Sequence, residues 1–313
     1  MATATPLQPA PAALGAGASV WLKREDQHEL GAFKWRGALP ALERFQADGS
    51  DAVVTASTGN HGAASAWAAQ RIGLRAIVFV PKDASRAKVD RLAALGAELH
   101  EVGPDLDASK ELAREFAAER GLAFFEDGAE PAQFDGYAAI GREIVDQLGE
   151  QPERVVVPVG NGALLIGVAR GLNRSGPGKA RPLAHGGGDS AVAVVAKEAP
   201  VMALSVEAGH PVPSERAATF ADGMAVRVAV PLAVEEIVRL RVPFVQVSER
   251  ALARAIGSFA AAGLRVEGSA AAALAALEQL EPVDGPTVLV VTGSNIDEEL
   301  YRRAVEQPES FPD

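Results

Sequence analysis

Short runs of β-branched residues alternate with alanine-rich helical segments along this chain, and this alternation most constrains its fold. In the first half, the pattern predicts strands over 52–55, 75–80, 98–102 and 123–126, separated by helices over 61–71, 84–95 and 107–120. Strands that alternate with helices of this length favour a parallel sheet covered on both faces. The sequence therefore predicts an α/β fold.

The same alternation restarts in the second half of the chain. It predicts strands over 154–158, 201–206 and 287–291, helices over 162–172, 249–262 and 269–280, and a loop with one short helix over 175–200. A chain of 313 residues is long enough for two such layers. Ligands of open α/β sheets bind at the carboxyl ends of the strands, so we expect functional residues there.

Composition excludes several classes of function. The formal net charge of −11 argues against nucleic acid or an anionic membrane as the main partner. The chain has no cysteine, and its five histidines form no helix-spaced ligand pair, so we expect no protein-bound metal. No signal peptide and no apolar run of membrane-spanning length is recognisable, so we expect a cytoplasmic protein.

Two glycine-containing segments each follow a predicted strand and open a predicted helix. Backbone N–H groups at such helix starts bind phosphates and carboxylates, although ordinary capped turns have the same composition. The second segment lacks the spacing of a dinucleotide fingerprint and the Gly-Lys-Ser/Thr ending of a nucleotide loop. The segments are Ser57, Thr58, Gly59, Asn60, His61 and Gly62, and then Gly160, Asn161, Gly162, Ala163 and Leu164.

Two further residues are candidates for chemistry. Lys34 lies between Phe33 and Trp35, where a partly desolvated amine could form a Schiff base and then act as a base. The alternative is a lysine that reaches solvent past its aromatic neighbours. Thr292 ends an apolar strand, and its hydroxyl could face a ring nitrogen or simply begin a turn. A reactive lysine, an amide-rich loop, a phosphate cradle and a late hydroxyl are together the parts that hold pyridoxal phosphate.

These motifs occur in an order that resembles a known family. The chain is similar to the fold type II pyridoxal-phosphate enzymes of the serine/threonine dehydratase and serine racemase group, from about Trp21 to Asp297. The motifs that carry the resemblance are Lys-Arg-Glu-Asp at 23–26, Phe-Lys-x-Arg-Gly-Ala at 33–38, Ser-x-Gly-Asn-His-Gly at 57–62, Pro-Val-Gly-x-Gly at 158–162, Ala-Asp-Gly at 221–223 and Thr-Gly-x-Asn at 292–295.

The resemblance implies a fold like that of the tryptophan synthase β subunit, with twisted, mainly parallel sheets. It places 1–50 and 131–313 in a large coenzyme-binding domain, with 1–18 as a loose tail, and 51–130 in a small domain that grips the substrate. Lys34 matches the Schiff-base lysine, Asn60 the asparagine at the ring hydroxyl, and Thr292 the residue at the pyridine nitrogen. Further coenzyme contacts are implied for Phe33, Gly160, Asn161, Gly162, Ala163 and Leu164, and substrate-carboxylate contacts for Ser57, Thr58, Gly59, Asn60 and His61.

The implied reaction is removal of the β-hydroxyl of a 3-hydroxy amino acid, which gives a 2-oxo acid and ammonia, by a homodimer that acts on small amino acids. Thr58 occupies the place of the second base of serine racemases, so a racemase or epimerase stays open. A β-replacement synthase and a non-catalytic coenzyme-binding protein also stay open. Glu207 could match an acidic residue of metal-binding relatives, but no acidic companion is recognisable.

Overall fold

The computed structural model describes residues 4–17, 19–173 and 190–313. The chain forms two compact units, of which the first combines the chain up to Phe33 with Tyr137–Asp313 and the second is Lys34–Gly136. The predicted coenzyme-binding and substrate-gripping domains, with boundaries near 50 and 130, stay predictions. Each unit has its own sheet.

The described residues contain ten strands. They are β1 (Leu7–Pro9), β2 (Val20–Arg24), β3 (Ala52–Ala56), β4 (Arg75–Val80), β5 (Glu98–Glu101), β6 (Ala123–Phe124), β7 (Arg154–Pro158), β8 (Ala191–Ala196), β9 (Phe244–Val247) and β10 (Thr287–Val291).

Eleven α-helices lie in the described part of the chain. They are α1 (Trp35–Ala47), α2 (Asn60–Ile72), α3 (Arg86–Ala94), α4 (Leu106–Arg120), α5 (Pro131–Leu148), α6 (Ala163–Asn173), α7 (Val201–Ala208), α8 (Pro231–Leu240), α9 (Glu249–Ala261), α10 (Gly268–Leu277) and α11 (Glu298–Glu306).

The sheet of the first unit has six strands in the order β1-β2-β10-β7-β8-β9. All its pairings are parallel except that of β1 with β2. Its strands β7, β8 and β10 consist mostly of Val, Leu and Ala, as a sheet buried on both faces requires. Helix α10 packs against this sheet and is apolar on every side, which is why 268–276 are all buried.

The sheet of the second unit has four parallel strands in the order β5-β4-β3-β6. Ala113 and Ala117 on α4 pack against one face, with Val54 of β3 and Ile77 and Phe79 of β4. The strand–helix alternation predicted here is confirmed, and each boundary differs by no more than a few residues. The mainly parallel α/β class predicted from the sequence is therefore correct.

The prediction of a loose tail over 1–18 is wrong for the residues that the structure describes. Strand β1 pairs antiparallel with β2, and Thr5 is buried. The Nζ of Lys23, which is fully buried, donates to the Thr5 carbonyl at 2.7 Å, to Glu143 Oε2 at 2.6 Å and to Gln147 Oε1 at 3.0 Å. A buried ammonium needs such acceptors, and the tail supplies one of them.

A second error concerns the region before α8. The strand predicted over 201–206 is helix α7, and the loop predicted over 175–200 contains strand β8. The part of that loop over 174–189 lies outside the described residues. Short apolar runs fit a buried strand or a buried helix equally well, so periodicity could not separate these two.

No helix in the described part of the chain combines the length and the apolar character needed to cross a membrane.

Candidate active site

Lys34 stands directly before α1, at its N-cap position. Its Nζ lies 2.5 Å from Oδ2 of Asp127, and both side chains are 15 % exposed. Asp127 follows β6, so it lies just beyond the carboxyl end of a parallel strand. The residue predicted to react is thus a mostly buried amine in contact with a carboxylate.

The Asp127 carboxylate is held on its other side. Gln133 Nε2 donates to Asp127 Oδ1 at 3.1 Å, and Gln133 Oε1 accepts from the N–H of Gly128 at 2.9 Å. Gln133 is fully buried at the start of α5. Sequence reasoning missed both Asp127 and Gln133, and the available signal was only that Asp127 follows a strand of the parallel sheet.

His61 lies on the same network, with Nδ1 3.6 Å from Asp127 Oδ1. The Thr55 hydroxyl donates to the Phe125 carbonyl at 2.8 Å, which leaves its lone pairs to accept from Nε2–H of His61 at 3.0 Å. Burial lowers the pKa of His61 below its ordinary value of 6.5, and the Asp127 charge opposes that shift. His61 is therefore a neutral ring with a fixed orientation.

The 57–62 segment forms the turn from β3 into α2. Gly59 is the N-cap residue, and its N–H donates to Ser57 Oγ at 3.2 Å. Ser57, Thr58, Gly59 and Asn60 are half-buried, whereas the His61 ring points to Thr55 and Phe125. A contact of His61 with a substrate carboxylate would therefore come from its backbone at the helix start. The predicted roles of these residues stay predictions.

The glycine loop of the first unit forms the turn from β7 into α6. A side chain at Gly160 would place Cβ 2.2 Å from the carbonyl oxygen of Gly223. Gly162 has φ +89° and would place Cβ 2.6 Å from Ile237 Cδ1. Both positions therefore require glycine, and the turn opens an 11-residue helix whose first N–H groups fit a phosphate.

Thr292 follows β10 and is 2 % exposed. Its backbone carbonyl accepts from the N–H of Phe33 at 3.0 Å, but Oγ1 has no hydrogen-bond partner in the described residues. A buried hydroxyl without a partner costs free energy, so this position fits a ligand with a nitrogen acceptor. The residues present therefore suit the pyridine nitrogen and the phosphate of pyridoxal phosphate.

Two acidic residues differ in their surroundings. Glu267 is buried at the N-cap of α10, and its carboxylate occupies the space where a side chain at Gly293 would lie. Glu207 is exposed on α7. Among the described residues, no group of three or more His, Asp or Glu side chains could hold a metal ion.

Comparison with curated proteins finds relatives along most of the chain. It is 30% identical over 292 residues to L-threonine ammonia-lyase of Thermotoga maritima, which covers 92% of this chain and 70% of that protein. It is 31% identical over 212 residues to L-threonine dehydratase biosynthetic IlvA of Pasteurella multocida, covering 67% of this chain and 39% of that protein. The chain thus spans less than half the length of several curated relatives that it matches.

Solved structures share the fold. The processed form of threonine deaminase isoform 2 from Solanum lycopersicum has a TM-score of 0.87 at 28% identity, covering 97% of this chain and 88% of that chain. Maize serine racemase has a TM-score of 0.83 at 23% identity, covering 98% and 93%, which supports the fold alone.

The family described as pyridoxal-phosphate dependent enzyme matches residues 2–293, nearly the whole chain. The same span contains Lys34, both helix-opening turns and the buried hydroxyl of Thr292. The chain belongs to the family of pyridoxal-phosphate-dependent enzymes.

Proposed function

We propose that this protein is an ammonia-lyase that removes the β-hydroxyl of a 3-hydroxy amino acid of the serine or threonine type. The observation that carries the proposal is the buried Thr292 Oγ1, which has no partner in the described residues. A neutral hydroxyl does not protonate a ring nitrogen as a carboxylic acid would. That weakens the electron sink and favours rapid loss of a β-leaving group over a long-lived carbanion.

The proposed function assigns separate binding roles to the residues of the site. When bound, pyridoxal phosphate supplies a conjugated electron sink beside the substrate α-carbon. Lys34 would hold the coenzyme covalently, and 160–164 and Asn60 would bind its phosphate and ring hydroxyl. The half-buried turn 57–60 would bind the substrate carboxylate through N–H groups at the start of α2.

Lys34 would also move the proton. As a free amine, Lys34 would take the α-proton onto Nζ, and the electron pair of the broken C–H bond would remain on the substrate carbon. That pair would form the Cα–Cβ double bond as the β C–O bond breaks, and the hydroxyl would leave as water with a proton from the coenzyme phosphate. Hydrolysis of the released enamine would yield a 2-oxo acid and ammonia. The L-threonine ammonia-lyase name of the Thermotoga relative supports this reaction class.

Replacement of Lys34 tests the proposal directly. Lys34→Ala should abolish the visible absorbance of the bound coenzyme and all formation of 2-oxo acid from a panel of 3-hydroxy amino acids. Lys82→Ala, at an exposed lysine of the same unit, is the matched control and should leave both unchanged. Retained turnover in Lys34→Ala would refute the assignment.

Product analysis distinguishes an ammonia-lyase from a racemase, a synthase and a non-catalytic protein. A racemase would invert the α-carbon of recovered substrate without releasing ammonia, and a β-replacement synthase would incorporate an added thiol. A non-catalytic protein would bind the coenzyme and turn over nothing on the panel.

We also propose a homodimer in the cytoplasm, without nucleic-acid or membrane partners, in keeping with the net charge of −11. Sedimentation velocity on the purified protein measures the oligomeric state.

A further inference from the structure

The contact between Lys34 and Asp127 is not explained by coenzyme binding. Asp127 Oδ2 lies 2.5 Å from Lys34 Nζ, and its Oδ1 accepts from Gln133 Nε2 at 3.1 Å. Gln133 is itself fixed by the N–H of Gly128 at 2.9 Å. The carboxylate is therefore anchored on one oxygen by a buried amide and presents the other to the reactive amine.

The charges around this pair leave Asp127 as the anion in contact with Lys34. The ring of His61, 3.6 Å from Asp127 Oδ1, is kept neutral by burial, which lowers its pKa. Other charged groups near the pair in the chain have contacts of their own: Arg36 lies over the ring of Trp35, and Lys110 pairs with Glu126. Burial raises the pKa of Glu130.

Lys34 needs opposite properties at two moments. It must be a neutral amine to capture the coenzyme, and it becomes an ammonium when it has taken the substrate proton. A fixed carboxylate at hydrogen-bond distance accepts more strongly from an ammonium than from a neutral amine, and it restricts where Nζ can lie. The pair is mostly buried, where desolvation offsets much of the Coulomb attraction, so the contact by itself is weak evidence for a stabilising role.

We propose that Asp127 is a positioning residue, which holds the released Lys34 side chain in place and retains on Nζ the proton taken from the substrate. The proton forms the third N–H bond of the ammonium, the electron pair stays on the substrate carbon, and the carboxylate keeps its charge. This inference rests on the proposed function, because it assigns Asp127 a role only through Lys34.

The experiment measures coenzyme capture by the apoprotein without substrate. Apoprotein is mixed with pyridoxal phosphate across a range of pH, reduced with borohydride, and the labelled Lys34 peptide is quantified by mass spectrometry. Asp127→Asn should move the midpoint of capture to lower pH, since an amide accepts from an ammonium less strongly than a carboxylate does. Asp127→Glu should restore at least half of that shift.

The control is Glu126→Gln, which removes a neighbouring carboxylate that pairs with Lys110 and Arg114 instead. It should leave the capture profile where it is in the unmodified protein. Gln133→Leu serves if Asp127→Asn does not fold, because it releases Oδ1 and should give a smaller shift in the same direction. Thermal melting of each variant reports any general loss of structure.

The outcomes separate the two proposals. An unmodified protein that captures coenzyme and produces 2-oxo acid, together with an unchanged profile in Asp127→Asn, would overturn the role of Asp127 and leave the proposed function standing. Captured coenzyme without turnover would overturn the proposed function, whereas a shifted profile would still support the placement of Asp127. Absence of any label on Lys34 in the unmodified protein would overturn both.

Discussion

Two buried threonine hydroxyls, one in each unit, differ in their hydrogen bonding. Thr55 and Thr292 are both 2 % exposed. The Thr55 hydroxyl contacts His61 Nε2 and the Phe125 carbonyl, whereas Thr292 Oγ1 has no partner in the residues described. One hydroxyl completes a structural network, and the other suits a ligand.

A substitution by valine should therefore act differently at these two positions. Thr292→Val should raise the apoprotein's melting temperature, because it removes a buried hydroxyl without a partner in the described residues, and should weaken coenzyme binding by about 1 kcal/mol, the value of one hydrogen bond. Thr55→Val should lower the apoprotein's stability by about 1–3 kcal/mol, because it leaves buried polar groups unpaired. Melting curves and coenzyme titrations measure both. Equal losses of apoprotein stability would contradict the assignment of Thr292.

His61 predicts a pH dependence of stability. Because burial lowers its pKa in the folded state, the unfolded chain binds the proton first when the pH falls below 6.5. As the pH falls from 6.5 to the lower pKa of the folded state, the free energy of unfolding should therefore decrease. Above pH 6.5 this group should not change the free energy of unfolding. Urea unfolding from about pH 8 to about pH 5 should show a weaker dependence in His61→Gln, which does not titrate in this range. His210→Gln, at an exposed ring, is the control and should keep the dependence of the unmodified protein.

At the scale of elements, helix packing in the first unit depends on two glycines. A Cβ at Gly171 of α6 would lie 2.1 Å from the carbonyl of Ala138, and one at Gly141 of α5 would lie 2.3 Å from the carbonyl of Val168. The two helices are thus in contact through their backbones. This approach fixes α6, whose N-terminus carries the glycine loop.

Adding one methyl group tests that contact. Gly171→Ala should destabilise the protein by about 1–3 kcal/mol, the usual cost of overpacking a core. Gly257→Ala on α9, where a Cβ meets no atom within 4 Å, should instead stabilise it by about 0.5–1 kcal/mol. Urea unfolding of both variants is the measurement, and a Gly171→Ala protein as stable as the parent would show that α5 and α6 do not need this contact.

Elements were predictable where length and flanking residues agreed with periodicity. Strand β3 and helix α2 are bounded by polar residues or glycine, and the sequence pattern predicts both. Helix α7 was predicted as a strand because residues 201–206 are apolar over too short a span to show a helical period. Residues 201–206 instead form part of a helix that packs against α8, a contact that the local sequence pattern does not indicate.

At the scale of the whole molecule, each unit builds its own sheet, and ion pairs bind distant parts of the chain into the first unit. Lys23 connects the N-terminal segment to α5 through Thr5, Glu143 and Gln147. Beside it, Arg24 makes two hydrogen bonds to Asp26, at 2.8 Å and 2.6 Å. Part of the Lys-Arg-Glu-Asp motif that supported the family resemblance therefore has a structural role.

Removal of residues 1–9 should lower the stability of the protein by about 2–4 kcal/mol, because a buried ammonium loses one acceptor and β2 loses its antiparallel neighbour. Thr5→Ala keeps the carbonyl that accepts from Lys23 and loses only the hydroxyl bonded to Glu25, so it should cost about 1 kcal/mol. Thermal unfolding followed by circular dichroism compares the two. A truncated protein with the melting temperature of the full chain would show that this segment is dispensable.

The sequence by itself determined the α/β class, the order of Lys34, the two helix-opening turns and Thr292 along the chain, and the family. These depend on local patterns, since strand–helix alternation and glycine spacing are read over a few residues. Only the tertiary structure decided that Asp127, held by Gln133, contacts Lys34, that Thr292 Oγ1 is buried without a partner in the described residues, and that the N-terminal segment supplies an acceptor to Lys23. The Lys34–Asp127 contact joins residues 93 positions apart, and no local pattern records which buried polar groups contact each other.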